Sequence, residues 1–584
     1  MLERPPTSLE TRPYEGSSSA AAGAAFGADQ RRCGEPLPAH SIVLRLASDK
    51  FAAQLDWLAA LSGPDTAGPD QLKEMTRMGA PATAAAAAAT TSSIATATAT
   101  SVRQLPEVHL TVGGEEELPA ARAAIHFAYT GRVEAGASIR EVLQVRRQAA
   151  YLQMEGCMEA CLAAVREKLE AGGGAEAGAA AAAGGGAGDG AAAEVPPPTA
   201  VLELLYSCRD VWPDPSEDTA FAALLTEAKR RLVAHFGDAL AVLNKKQLYE
   251  QMRVLPAEGL EALLESDDFG TDSESSVVLV LAEWMAANHS RTDAATRKQL
   301  CGLLRLSQCS RSYLSWVLPA LAARHEAGPD STAGWLPLTR DDATCLLTYS
   351  LATEKERRAI TGEGLLSMSV AIGHWPAKWL STQRRRQCLP AEGRTIGFSA
   401  SLAELTKAFE GLKPAVKVHH LYPSLADTRH ANRFGAQGWD WSPYVLLTSG
   451  GVAAGVFVKA RMPAALGASA SAAAAGDKLL NGAVVTVPRL RLTVCGAGGQ
   501  QAWSNSYDSS SEVVKAGYSW GWAKALELRV APAATDQPGG TAANGSSSGS
   551  GSSGVVAARW AGYLQGGTRL SGSVTLLRPP EYYA

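Results

Sequence analysis

Five tracts dominated by Ala, Gly, Ser and Thr interrupt this chain, at residues 16–29, 62–101, 171–200, 463–477 and 531–555, and together they take up 124 of its 584 residues. Such small side chains bury little apolar surface, while ordering each residue costs roughly 1–2 kcal/mol of backbone entropy. The tracts therefore read as linkers and insertions, and they cut the polypeptide into blocks. About 460 residues remain, which fits three domains at roughly 150 residues each. Those blocks concentrate the 13 Trp, 14 Tyr and 10 Phe, bulk enough for real cores.

Charge and cysteine usage exclude several classes. Lys and Arg number 54 against 58 Asp and Glu, a net of −4, so no overall positive field exists to hold a polyanion, and nucleic acid is not expected as a partner. The nine Cys scatter from Cys33 to Cys495 without a C-x-x-C pair, which argues against a disulfide framework and a zinc module and for a reducing compartment, cytosol or nucleus. Near the start, Glu3, Arg4, Pro5 and Pro6 stand where a signal peptide needs an unbroken apolar run. No apolar stretch of 18 residues occurs elsewhere, and residues 82–101, Ala and Thr around Ile94, are too weakly apolar to insert, so no membrane partner is expected.

Periodicity divides the blocks. Residues 1–35 are expected to be disordered. Residues 36–170, with their insertion at 62–101, form a small α/β unit. Phe51, Leu55 and Leu58 recur at helical spacing, residues 107–112 alternate like a short strand, residues 120–129 read as a helix stopped at Gly131, and Ser138 to Glu141 is a capping box. Beyond the Gly/Ala linker at 171–200, residues 201–321 show only helical patterns, clearest where a capping box from Thr271 to Glu274 feeds Val277, Val280, Leu281 and Trp284. Residues 322–393 read as a connecting helical or linker region. From residue 394 to 584 the period is two, as at Leu490, Leu492 and Val494, with Ser449-Gly450-Gly451 a hairpin signal, so this domain is expected to be an all-β antiparallel sandwich carrying the insertions 463–477 and 531–555. The fold class is multidomain α+β.

Particular motifs sharpen this. Leu37-Pro38-Ala39-His40 ahead of an apolar helix, Phe127-Ala128-Tyr129-Thr130-Gly131, and Tyr151 to Met154 with Cys157 and Cys161 resemble the BTB (POZ) domain. Leu263 to Asp268, Ser273-Glu274, Val280, Trp284 and Leu303-Leu304-Arg305-Leu306 resemble, in order, the BACK domain. Residues 433–438, Tyr444 to Leu447 and the closing strand at 570–577 resemble the C-terminal sandwich of the plant light-response BTB-BACK proteins. The resemblance implies a non-catalytic substrate adaptor of a cullin-3 ubiquitin ligase, with a cullin-3 type scaffold and a protein substrate as partners and a homodimer through the BTB fold. The strand such a dimer exchanges would fall at residues 21–36, where Ala, Gly and charge leave only Phe26 as bulk. The family's cullin contact, an apolar-x-Glu motif, has two candidates here, Leu72 with Glu74 and Leu105 with Glu107.

The remaining polar and aromatic residues admit two readings each. Cys157 and Cys161, one helical turn apart, fit a core better than a metal site, and His40 reads as a buried structural histidine. The glycine runs at 172–174 and 184–190 lack the Gly-Lys-Ser/Thr of a phosphate loop. His419-His420 reads as solvated loop, and Arg384-Arg385-Arg386 as a solvated face or part of a nuclear import signal. Trp439 with Trp441, and Trp520 with Trp522, each put two rings on one strand face, as core or as a substrate-binding peptide groove. No nucleophile-base spacing, metal set or cofactor loop is present, so no enzyme and no cofactor are expected. A homotypic scaffold or transcriptional co-regulator without a cullin, and a ligand-binding β-sandwich, are the alternatives.

Overall fold

The computed structural model describes residues 37–61, 107–133, 138–182, 196–361, 375–412, 417–467, 480–507, 512–529 and 551–579. The chain divides into two compact units, Met1–Val165 and Arg166–Ala584.

In the first unit the regular elements among the described residues are helices. Helices α1 (Ser41–Ala47) and α2 (Asp49–Leu61) meet at Ser48, whose hydroxyl donates to the Leu152 carbonyl and accepts the Phe51 amide. Helix α3 (Leu118–Thr130) stops at Gly131, which takes the left-handed φ of 63° that glycine holds without strain. The Ser138 hydroxyl caps α4 (Ile139–Tyr151) by accepting the Glu141 amide at 3.2 Å. Ile139, Val142, Leu143, Leu152 and Met154 are buried together with Cys157 and Cys161 on α5 (Glu155–Ala182). The Cys157 and Cys161 side chains hydrogen-bond to each other, and that bond together with burial pushes the Cys161 thiol up.

Three expectations change here. Residues 107–112 alternate between exposed and half-buried side chains, but they form no strand and pair with none among the described residues, and alternation alone supplies no partner for backbone amides. His40 is exposed; its backbone amide, not a buried ring, donates to the Tyr129 hydroxyl at 2.7 Å. The 171–200 linker begins later than its composition suggests, because α5 continues to Ala182, where alanines, the strongest helix formers, outnumber the glycines among them.

The second unit opens with α6 (Thr219–Phe236), α7 (Ala239–Asn244), α8 (Lys246–Arg253), α9 (Ala257–Glu265), α10 (Glu274–Asn288), α11 (Ala294–Gly302) and α12 (Leu318–Ala327). Helix α10 is central. Residues 274–285 are all buried, so it is enclosed on every side rather than amphipathic, as its run from Val277 to Ala282 allows. Its N-cap is Ser273, not Thr271; the Thr271 hydroxyl instead donates to the Ser273 carbonyl at 2.6 Å. The bundle also extends beyond residue 321, through α13 (Arg340–Leu351) and α14 (Glu354–Thr361).

Thirteen strands follow among the described residues: β1 (Arg394–Ser401), β2 (Val418–Leu421), β3 (Ser424–Leu425), β4 (Phe434–Ala436), β5 (Trp439–Thr448), β6 (Ala453–Arg461), β7 (Val484–Thr486), β8 (Leu490–Cys495), β9 (Gln501–Tyr507), β10 (Val513–Lys515), β11 (Ser519–Glu527), β12 (Leu564–Gln565) and β13 (Arg569–Leu576). One sheet runs β3-β1-β13-β8-β9 with β12 on β13, and another runs β11-β6-β5-β2 with β4 on β5; β7 and β10 pair separately. All pairings are antiparallel, and the register sets Ile396 and Leu492 on either side of Val574. The β5–β6 hairpin turns at Gly450, whose φ of 69° matches the Ser-Gly-Gly signal. His419 and His420 lie on β2, not in a loop, with the His420 ring 4.7 Å from that of Tyr444.

This region is not all-β. Helix α15 (Leu402–Glu410) starts from a Ser401–Glu404 capping box, and α16 (Gly551–Trp560) packs against it through Phe409 and Trp560, ring centroids 6.4 Å apart. Helix α16 begins inside the 531–555 tract because Val556 and Trp560, both buried, give its Ser/Gly/Ala sequence an apolar face.

Candidate functional site

The helical and β regions of the second unit are held together by paired polar groups. The chain from β4 to β5 carries a tight turn in which Gln437 and Gly438 take φ of 52° and 78°. That turn inserts into the bundle. The Gln437 amide donates to Asp272 Oδ2 at 2.7 Å, the Gly438 amide to Ser276 Oγ at 3.0 Å, and the Tyr313 hydroxyl to the Gly438 carbonyl at 2.6 Å. A side chain at Gly438 would overlap the Tyr313 ring, since a Cβ there would lie 2.4 Å from its hydroxyl oxygen. Asn244 pairs with both backbone groups of Gly435, at 2.7 and 2.9 Å.

Charge follows the same path. Arg394 on β1 clamps Asp238 with two bonds of 2.8 and 2.7 Å, a fork-to-carboxylate fit. Arg429 reaches Glu283 of α10 at 2.9 Å while its guanidinium lies 4.4 Å over the Tyr249 ring, and Glu283 in turn accepts the Tyr249 hydroxyl at 2.8 Å. Burial pushes the Tyr249 hydroxyl up to about 12. It also raises the Asp440 carboxyl, against the pull of Arg429 and Arg433.

A second set of contacts fixes residues 381–388, which lie inside the region read as a connector. Arg385 is not a solvated basic face. Its side chain is 0% exposed, with Nε on Glu274 Oε2 at 3.1 Å, Nη1 on the Ser266 carbonyl at 2.6 Å and Nη2 on the Leu264 carbonyl at 2.5 Å. Arg305, equally buried, bonds the Asp267 carboxylate and, at 2.7 Å, the Gln383 carbonyl, while its amide donates to Glu274 Oε1 at 3.0 Å. The backbone completes the latch: the Arg386 amide donates to the Asp267 carbonyl, the Thr271 amide to the Arg386 carbonyl and the Cys388 amide to the Thr271 carbonyl, at 2.9–3.1 Å. Asp267, Glu274 and Arg305, separate motif residues in the sequence, thus meet around one strap anchored by the buried Arg385.

The two tryptophan pairs part company. Trp439 and Trp441 are 1% and 0% exposed, so they line no open groove; Trp439 packs edge-on against Tyr313, and the Trp441 indole donates to the Ala436 carbonyl at 3.1 Å. Trp520 and Trp522 are half-buried on β11, the edge of its sheet. The edge strand of the other sheet, β9, brings Trp503 to them, 5.4 Å from Trp522, and Tyr507 beside Trp520. Trp503 and Tyr507 went unread in the sequence, since only the packing of one sheet on the other brings β9 and β11 together. Of the cullin-contact candidates, Leu72, Glu74 and Leu105 lie outside the described residues. Glu107 is exposed, 4.0 Å from His109.

Among the described residues no group of three or more His, Cys, Asp or Glu gathers to hold a metal ion, and no helix is long and apolar enough to cross a membrane. Residues 215–318 match the family model described as BACK, BTB And C-terminal Kelch. No curated protein and no solved structure matches the chain. The match spans α6 to the start of α12 and contains Asp267, Glu274 and Arg305. It points to protein–protein interaction, as is typical of BTB-containing substrate adaptors. Among the described residues, the strands that follow form two larger antiparallel sheets and one two-stranded pair in place of the radially repeated blades of a propeller.

Proposed function

We propose that this protein is a non-catalytic substrate-recognition adaptor of a cullin-3 RING ubiquitin ligase. The observation that carries the reading is the BACK match at residues 215–318, on helices joined through Gly438, Arg394 and Arg429 to a β region that could present a second partner. In this reading the N-terminal unit is BTB-like and docks on the cullin through Leu72 with Glu74 or Leu105 with Glu107. The β region holds the substrate, with Trp520 and Trp522 as contact residues. Its work is proximity: one chain that holds both partners places a captured protein near a bound enzyme and raises its effective concentration there. The chain's own side chains perform no bond chemistry, and it acts in the cytoplasm or nucleus, as a homodimer.

Recovery of cullin-3 on the immobilised full chain tests this, with Glu74→Ala and Glu107→Ala variants beside it. The adaptor reading expects recovery from the native chain and loss in one variant. No recovery from the native chain would leave a homotypic scaffold.

A further inference from the structure

We propose that a cleft between the bundle and the latch, distinct from the aromatic patch, binds an acidic segment of a partner protein. The cleft encloses about 660 Å³, within the range of ligand sites. Five arginines line it, Arg311, Arg357, Arg384, Arg385 and Arg578, against two carboxylates, Asp272 and Glu274. This excess of positive charge stands in a chain whose net charge is −4.

Glu274 is spent on the buried Arg385, so the outward field comes from Arg311, Arg357, Arg384 and Arg578 against Asp272. Both Glu274 oxygens are occupied, one by the Arg305 amide and one by Arg385, and the side chain is 3% exposed. Asp272 accepts the Gln437 amide, and burial raises its carboxyl, which favours the neutral form. Arg311, Arg384 and Arg578 are exposed and come from three elements: the start of the helical turn before α12, the latch, and the chain just past β13. Locking Arg385 inward fixes the strap that presents Arg384 outward. Arg357 is held from behind, bonding the Tyr349 and Ser350 carbonyls at 3.1 and 3.2 Å with its guanidinium over the Tyr349 ring. The cleft therefore exists only because bundle, latch and β region are one body.

The lining selects the class of anion. Leu351, 60% exposed, and Pro579 add apolar surface beside the arginines, and Ser307, Ser350 and Thr382 add hydroxyls, a mixture that suits an extended peptide with an apolar side chain next to its acidic groups. Single-stranded nucleic acid would need exposed aromatic rings to stack its bases, and among the described residues the one aromatic ring lining the cleft, Tyr349, is 7% exposed and covered by Arg357. This inference rests on the adaptor reading only in treating the bound protein as recruited cargo.

The test is a peptide-display selection on the full chain, counter-selected on the Arg311→Glu/Arg384→Glu/Arg578→Glu variant. All three side chains are exposed, so the variant should keep its fold, checked by its thermal midpoint. The expected result is a set of peptides with clustered Asp or Glu beside an apolar residue, each binding the variant at least tenfold more weakly, and each weakened by salt. Three results would overturn the proposal: no peptide lost on counter-selection, selected peptides without acidic clusters, or a uridine 12-mer bound more tightly than any peptide and lost in the variant. Cullin-3 recovery read in parallel separates the two ideas, because the cleft variant leaves it unchanged if both hold.

Discussion

Two tryptophan pairs with the same spacing end in different surroundings. Trp439 and Trp441 start the strand that the bundle covers, and residues 439–445 are buried whichever way they point. Trp520 and Trp522 sit on an edge strand whose other neighbours are β9 and solvent. Spacing of two residues determines that both rings share a strand face; it does not determine what covers that face. What covers the first pair is the bundle, brought there by a turn with two left-handed residues, and what leaves the second half-open is the end of a sheet.

The contrast can be broken by substitution. Trp441→Ala should cost about 3–5 kcal/mol, the range for a large aromatic removed from a close-packed interior, whereas Trp522→Ala should cost roughly 1–2 kcal/mol. Urea unfolding measures both, and equal losses would mean that the β11 pair is as enclosed as the β5 pair. Of similar size, Arg385→Ala should cost about 3–5 kcal/mol, because it leaves Glu274 charged and buried without its partner. A loss below about 1 kcal/mol would show the strap to be peripheral.

Gly438→Ala sharpens the comparison, since that residue places Trp439. Its φ of 78° costs an alanine roughly 1–2 kcal/mol, and the overlap with Tyr313 adds to this, so the thermal midpoint should fall further than for Gly450→Ala, where φ is 69° and nothing lies nearby. The smallest effect is in pH. Burial, then Arg429 and Arg433, hold the His430 imidazole down to about 4 from an ordinary 6.5. Its folded pKa is depressed, so the unfolded chain takes up a proton that the native one excludes, and stability falls as pH drops from about 6.5 toward 4. His430→Gln should flatten that part of the profile, and a profile unchanged by the substitution would place His430 outside the junction.

Much of this architecture is legible in the sequence. The leucine-rich helices, the Gly131 stop, the Ser138 cap and the Ser-Gly-Gly hairpin all rest on local rules that the fold obeys. Trp520 and Trp522 were singled out by spacing, and the structure leaves them half-open. The rest depends on contacts distant in sequence. Arg385 reads as one of three solvated arginines until Glu274, 111 residues earlier, is seen beside it. The cap of α15 was present as Ser401 and Glu404 but was hidden by the strand pattern on either side, and α16 was masked by serines and glycines whose helical face shows only through Val556 and Trp560. Residues 107–112 fail in the opposite sense, since they carry a strand's alternation with no strand to join among the described residues.

The latch has a practical consequence for genetics. An allele that ends anywhere between residues 321 and 381 would lose Arg385 and leave Glu274 facing an empty channel in the middle of the bundle. Such a truncated product is expected to be cleared as misfolded, so its phenotype would report missing protein and say nothing about what the β region captures. Single exposed substitutions, at Arg384 or Trp522, are the lesions from which a lost partner could be read.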